Sequence, residues 1–213
     1  MDRYILTCPG RKAYKHKGFE LFINDGKPYE HSWHKCAKGH AVLLGCGDGP
    51  VLIAEDDVMF PPDFENRINK LATILPDPGV GMGYVCIDLG LRVEKAPVQY
   101  PPGIHGWGTQ LTLFSPRARK IALSAINAFL LADIATVSCD NSMPSESRPN
   151  PTEDGAQNGF DVIMYHMFDW LKVPVYQFPC CQHMCLTSTC HSAPHVSPFF
   201  PHPKVIHKVE GWW

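Results

Sequence analysis

The residues best suited to chemistry are Glu55-Asp56-Asp57, which follow the apolar run Val51-Leu52-Ile53-Ala54 and precede Val58-Met59-Phe60-Pro61-Pro62-Asp63-Phe64. The run reads as a buried strand that delivers three carboxylates in succession, concentrating negative charge where a sheet opens into a crevice. Such a cluster needs a cation. Carboxylate oxygens suit hard divalent ions such as Mn2+ or Mg2+, and a bound diphosphate can complete the coordination shell. In a transfer that expels a nucleoside diphosphate, the ion neutralises charge developing on the leaving group. An acidic helix N-terminus that complements the dipole would explain Asp57 or Asp63 alone, but not three adjacent acids at a strand's end.

Other clusters carry weaker signals. Nine cysteines form an odd set, which predicts reduced thiols over a disulfide framework. Cys180, Cys181, Cys185 and Cys190 crowd around His183 and His191, a set of soft ligands for a structural Zn2+, although no paired CxxC spacing is present. Gly45-Cys46-Gly47-Asp48-Gly49, after Ala41 to Leu44, looks like the first motif of S-adenosylmethionine-dependent methyltransferases. That motif needs a helix next, whereas Pro50 and a strand follow at once. A Walker-B-like role for Asp56 or Asp57 lacks the G-x-x-x-x-G-K-[ST] loop that would hold phosphates.

The elements that must position these residues alternate. Strands are expected at Tyr4 to Thr7, Glu20 to Ile23, Val51 to Ala54, Gly83 to Ile87, Thr109 to Phe114 and Val173 to Phe178. A helix over Pro62 to Leu75 aligns Phe64, Ile68, Leu71 and Leu75. A second starts at Ser115-Pro116, an N-cap followed by proline, and carries Ile121, Ala125 and Phe129. A third runs from about Asp161 to Lys172 through Met164, Phe168 and Leu171, and Trp33, Ala37 and Val42 suggest a fourth ahead of the acidic strand. The stretches Lys95 to Trp107 and Ser138 to Asn158 read as loops. The pattern predicts an α/β domain.

With 213 residues and 45% hydrophobic content, the chain can bury one sizeable core, so a single domain over 1–213 is expected. The net charge of -2 gives no basic footprint for nucleic acid or an anionic membrane. No apolar stretch reaches the roughly 20 residues of a membrane span, and the N-terminal residues lack a signal-peptide core, so a cytoplasmic location is expected.

The Leu52-to-Phe64 segment resembles the acidic signature of GT-A glycosyltransferases, in particular the lipopolysaccharide-type and collagen galactosyltransferases and some N-acetylglucosaminyltransferases. Three further segments extend the resemblance in family order. Leu6-Thr7-Cys8-Pro9-Gly10-Arg11 is similar to the first strand and nucleotide-binding turn. Gly106-Trp107-Gly108-Thr109-Gln110, leading to Ser115-Pro116-Arg117-Ala118, resembles the wall of the donor-sugar and acceptor site. Pro179-Cys180-Cys181-Gln182-His183, then Ser188, resembles a late segment in which histidine completes the metal site.

The resemblance implies a Rossmann-like GT-A domain with a central mixed, mostly parallel sheet flanked by helices. Residues 1–60 would form the nucleotide-sugar half, and 61–213 the acceptor half with its Cys/His-rich tail. It implies Asp57 and His183 as metal ligands. Donor contacts would come from Thr7, Pro9, Arg11, Glu55, Asp56, Trp107 and Gly108. Apart from the resemblance, Asp25 in Ile23-Asn24-Asp25-Gly26 reads either as the end of the second strand near the base or as a simple Asp-Gly turn. The donor would be a nucleotide sugar such as a UDP-sugar. Inverting transfer needs a carboxylate base to take the acceptor hydroxyl's proton. Asp161, opening the third helix, is the first candidate, with Asp154 and Glu153 next. The acceptor, whether glycan, protein, small molecule or modified DNA base, is left open, and a zinc-stabilised binding module without catalysis is the alternative.

Overall fold

The computed structural model describes residues 1–11, 16–27, 32–83, 97–99, 109–131 and 160–183, with the side chains at 32, 33, 160–163, 182 and 183 outside that description. The chain begins with strands β1 (Asp2–Thr7) and β2 (Glu20–Ile23), helix α1 (Ser32–Gly45), and strands β3 (Val51–Glu55) and β4 (Val58–Met59). Helix α2 (Phe64–Ile74) leads to β5 (Val80–Met82), β6 (Val98–Gln99) and β7 (Leu111–Phe114). Helices α3 (Pro116–Leu131) and α4 (Phe160–Trp170) and strands β8 (Val175–Gln177) and β9 (Gln182–His183) complete the described set.

Seven strands form one mixed sheet in the order β2-β1-β3-β7-β5-β8-β6, and β4 pairs separately with β9. The result is an α/β fold of Rossmann-like character. The expectation of a mostly parallel sheet needs correction. β1 runs parallel to β2 and β3, and β5 to β8, but β7 is antiparallel to both β3 and β5, and β6 is antiparallel to β8. The reversal of β7 follows from where the chain enters it. The Gln110 carbonyl accepts from the Glu55 amide at 2.9 Å, so β7 starts at the end where β3 stops and must run back alongside it.

Alternation along the strands splits the core into two layers. Val51 and Ile53 face one side with Leu6, Val80, Met82 and Phe114, against α1, α3 and α4. Leu52 and Ala54 face the other with Ile5, Leu111 and Leu113, against Phe64, Ile68 and Leu71 of α2. The predicted α2 stripe therefore packs as expected, except that Leu75 lies just past the helix as a half-buried cap. In α1 the face is rotated from expectation: Ala37, His40, Leu43 and Leu44 are buried, whereas Val42 is exposed. The residues Ala37, His40 and Leu44 follow the helical repeat that Val42 breaks. The strand expected at Gly83 to Ile87 forms earlier, at Val80–Met82. Its central Gly81 receives Leu71 from α2 where any side chain would collide, with an added Cβ 2.7 Å from Leu71 Cδ2. Residues 84–87 lie outside the described set.

Two devices fix the helices that stand behind β3. Ser115 Oγ donates to Asp77 Oδ1 at 2.8 Å and accepts from the Gly79 amide at 2.9 Å, while Asp77 Oδ1 also accepts from the Arg117 amide at 2.7 Å. The expected start of α3 is thus tied to the turn before β5. From the first turns of α3, Arg119 runs fully buried to the end of α1, where its guanidinium donates to the carbonyls of Leu44, Leu43, Gly49 and Cys46. It satisfies carbonyls that a helix C-terminus leaves without intrahelical donors. A closer approach operates at the front of α1. A Cβ at Gly39 would stand 2.7 Å from Leu6 Cδ1 and 2.9 Å from Asn24 Nδ2, so the helix lies on β1 with no room for a side chain.

Arg119→Met removes all four donors and is expected to cost at least about 3 kcal/mol of unfolding free energy by urea titration. Arg119→Lys should recover only part of that, because one ammonium cannot span the four carbonyls. A cost for Arg119→Met below 1 kcal/mol would show that the clamp contributes little.

Candidate functional site

Parallel pairing in register sets Leu6 beside Glu55, which brings the ends of β1 and β3 to the same edge of the sheet. Thr7 and the turn to Arg11 therefore meet Glu55-Asp56-Asp57 across that edge. Together with the end of β2 and the first turns of α1 they enclose a pocket of about 440 Å³. Its lining includes Thr7, Pro9, Arg11, Asp25, Glu55, Asp56 and Asp57, seven residues singled out from sequence, together with Cys8, Asn24, Gly26, Lys35 and Cys36. Ligands in open α/β sheets bind at the carboxyl ends of parallel strands, which is where this pocket opens.

Asp56 and Glu55 are held by different segments. Asp56 is buried, and its Oδ2 accepts from Thr7 Oγ1 at 2.5 Å and pairs with Arg11 Nε at 3.0 Å. Burial raises its carboxyl above the ordinary value, the Thr7 bond and the Arg11 charge act in the opposite direction, and neighbouring Asp57 adds to the rise. Glu55 Oε1 accepts from Thr109 Oγ1 at 2.5 Å and faces His40 Nε2 at 3.8 Å. Asp57 is buried at the mouth of the β4 turn. Directly after it, Val58 pairs with His183 in the β4–β9 ladder, so the backbone brings the predicted histidine position beside the acidic run.

The rim is built from Asn24 and Asp25. The Asn24 side chain donates to the Lys35 carbonyl at 2.6 Å and accepts from the Gly26 amide at 3.1 Å, closing the turn against α1. Asp25 is exposed. Its carboxyl is held below the usual range mainly by a hydrogen bond from the Lys27 amide, with Lys38 Nζ 3.6 Å away. Ahead of β2, His16 packs edge-on to Phe19, Phe60 and Phe64, anchoring that segment against the start of α2.

Four carboxylates line the pocket, Asp25, Glu55, Asp56 and Asp57, against two cations, Arg11 and Lys35. This excess of negative charge suits a cation.

Asp161 occupies the second position of α4, one residue inside the helix instead of at its cap, and its side chain lies outside the described set, as do Asp154, Trp107, Gly108, Cys185, Cys190 and His191. Cys180 and Cys181 are buried in the α2-side core, where burial pushes both thiols up. The glycine run Gly45 to Gly49 follows helix α1, not a strand, which removes the geometry of a methyltransferase first motif. Sequence reasoning missed Lys35, Cys36 and His40. All three lie on α1, where the i, i+4 spacing of Cys36 and His40 was the available signal. Among the described residues, no helix is long and apolar enough to cross a membrane. Compared with models of known protein families and with characterised proteins, the chain matches none.

The Asp56 environment gives a stability test. Because its folded carboxyl is raised, the folded state favours the protonated form; that contribution is present below the ordinary carboxylate value and is lost as pH rises through the raised value. Asp56→Asn is therefore expected to melt at a higher temperature than wild type at pH 7, with the gain shrinking as pH falls into the carboxylate range. Equal melting temperatures at pH 7 would show that the buried charge carries no cost.

Proposed function

We propose that the protein is a metal-dependent glycosyltransferase of GT-A type, moving a sugar from a nucleotide-sugar donor to a hydroxyl acceptor. The observation that carries this reading is the convergence of Thr7, Pro9, Arg11, Asp25 and Glu55-Asp56-Asp57 on one pocket at the carboxyl ends of β1, β2 and β3. Thr7, Pro9, Arg11 and the acidic run lie on separate segments that resemble donor-binding parts of that family, Asp25 follows the end of the second strand, and non-local strand pairing brings them all together.

In this reading the nucleoside lies along the Asn24–Gly26 rim and the diphosphate crosses toward Arg11 and the acidic run. Arg11, paired with Asp56 on one side, presents donors that suit phosphate oxygens. Thr7 fixes the Asp56 carboxylate, so the group does not reorganise as charge develops. Glu55, oriented by Thr109, faces the sugar. Asp57 holds the Mn2+ or Mg2+ ion, with His183 as a further ligand. When bound, the ion supplies Lewis-acid assistance to the departing diphosphate. The acceptor hydroxyl attacks the anomeric carbon from the face opposite the phosphate, and Asp161 takes its proton. UDP is the nucleotide we favour, and glycan, protein, small molecule or modified DNA base remain the classes of acceptor to screen.

A UDP-sugar with Mn2+ at about 100 times its dissociation constant should stabilise the protein by about 2.7 kcal/mol, a rise of roughly 5–10 °C in melting temperature for a chain of this size. Absence of any shift across a panel of nucleotide sugars would overturn the reading. Asp57→Ala should remove the metal-dependent part of that shift and the turnover with it. Asp161→Asn should keep the shift while transfer falls by about 10²–10⁴-fold; unchanged transfer would place the base elsewhere.

A further inference from the structure

Cys36 and His40 stand one turn apart on α1, on the face turned toward the end of β3. This i, i+4 spacing brings two side chains of a helix to the same surface. Glu55 meets them from the strand, and one ligand atom from each of the three lies within 4.8 Å of the others. The donors are a thiol, an imidazole and a carboxylate, a mixed set that suits a cation of intermediate softness better than Mn2+ or Mg2+.

We propose that Cys36, His40 and Glu55 form a second metal site, specific for zinc or a cation of like softness, in the inner wall of the pocket. The proposal shares Glu55 with the glycosyltransferase reading, but its test reads metal binding alone, so the two can fail separately.

The histidine is already arranged as a ligand. Its Nδ1 donates to the Cys36 carbonyl at 3.2 Å, which places the ring lone pair on Nε2. That atom faces Glu55 Oε1 at 3.8 Å, too far for a hydrogen bond between them. Atoms bound tetrahedrally to zinc at about 2.0–2.3 Å stand about 3.3–3.8 Å apart. The widest spacing in the set, within 4.8 Å, exceeds that by about 1 Å at most. Cys36 Sγ lies 3.9 Å from the ring's Nδ1, so the thiol turns toward Nε2 to share an ion with it. Burial lowers the His40 pKa to about 4, so the imidazole is neutral at pH 7 and no proton competes with the ion.

The surroundings complete the case. Thr109 donates to the same Glu55 oxygen at 2.5 Å, and the Cys36 carbonyl orients His40. Both are outer contacts of the kind that hold ligands of bound metals in place. Cys36 and Glu55 line the pocket while His40 is buried behind them, so an ion can enter from the pocket and keep its fourth position open to it. A histidine retained only for packing would need neither the thiol nor the carboxylate beside it.

The test is a cobalt titration of the full, chelator-treated chain without Mn2+. A thiolate-to-cobalt charge-transfer band that Zn2+ displaces is expected in the wild type. Cys36→Ser should abolish the band and weaken Zn2+ binding by at least about 100-fold. Unchanged melting of the metal-free variant would show that a ligand, not the fold, was lost. His40→Gln should weaken zinc similarly where it folds, and Cys36→Ser decides the matter alone if it does not. Absence of the band in the wild type overturns the proposal. So does a band that persists in Cys36→Ser, which would assign the thiolate to another cysteine.

Discussion

The buried carboxylate of Asp56 is the constraint on which the rest of the structure depends. A charge at a strand end, largely removed from water, is costly unless hydrogen bonds and a counter-charge surround it. Here both come from the end of β1 and the turn after it: the Thr7 hydroxyl and the Arg11 guanidinium converge on one oxygen. That arrangement requires β1 and β3 to be neighbours, parallel, and in one register. A slip of one residue would carry Thr7 away from Asp56 and turn Val51 and Ile53 from one hydrophobic layer to the other. The charge pair and the two-sided core therefore specify the same alignment.

The helices supply the stiffness behind that alignment. Arg119 binds the end of α1 to the start of α3, and Ser115 binds the start of α3 to the turn before β5. The wall of the pocket contributed by α1 is thereby held from the rear by hydrogen bonds, and from the front by direct packing on β1.

What the sequence made legible was whatever is encoded locally. A fully apolar strand ending in three acids is visible as a string, and so are the helical stripe of Phe64, Ile68 and Leu71 and the Ser115-Pro116 start. The pocket was half legible. Thr7, Pro9 and Arg11 stand out because their segment resembles a donor-binding turn, and Asp25 because it ends a strand, but nothing in their spacing could show that β1 lies beside β3. The antiparallel course of β7, the β4–β9 pair and the bond from Thr109 to Glu55 are contacts between distant segments, invisible to periodicity. His40 escaped notice for a different reason: a histidine on the buried stripe of a helix reads as a core residue, and the carboxylate that faces it comes from a distant strand.

Gly39 carries one more implication. The helix touches β1 at a point with no side chain, so the width of the cleft is set there, while its polarity is set by Arg11, Lys35 and the acids along its lining. Aperture and charge are thus written at different positions. A lineage could open the cleft to a bulkier occupant by adding a methyl group at the contact, leaving every polar group of the lining unaltered in identity, or could retune its charge without moving the helix at all.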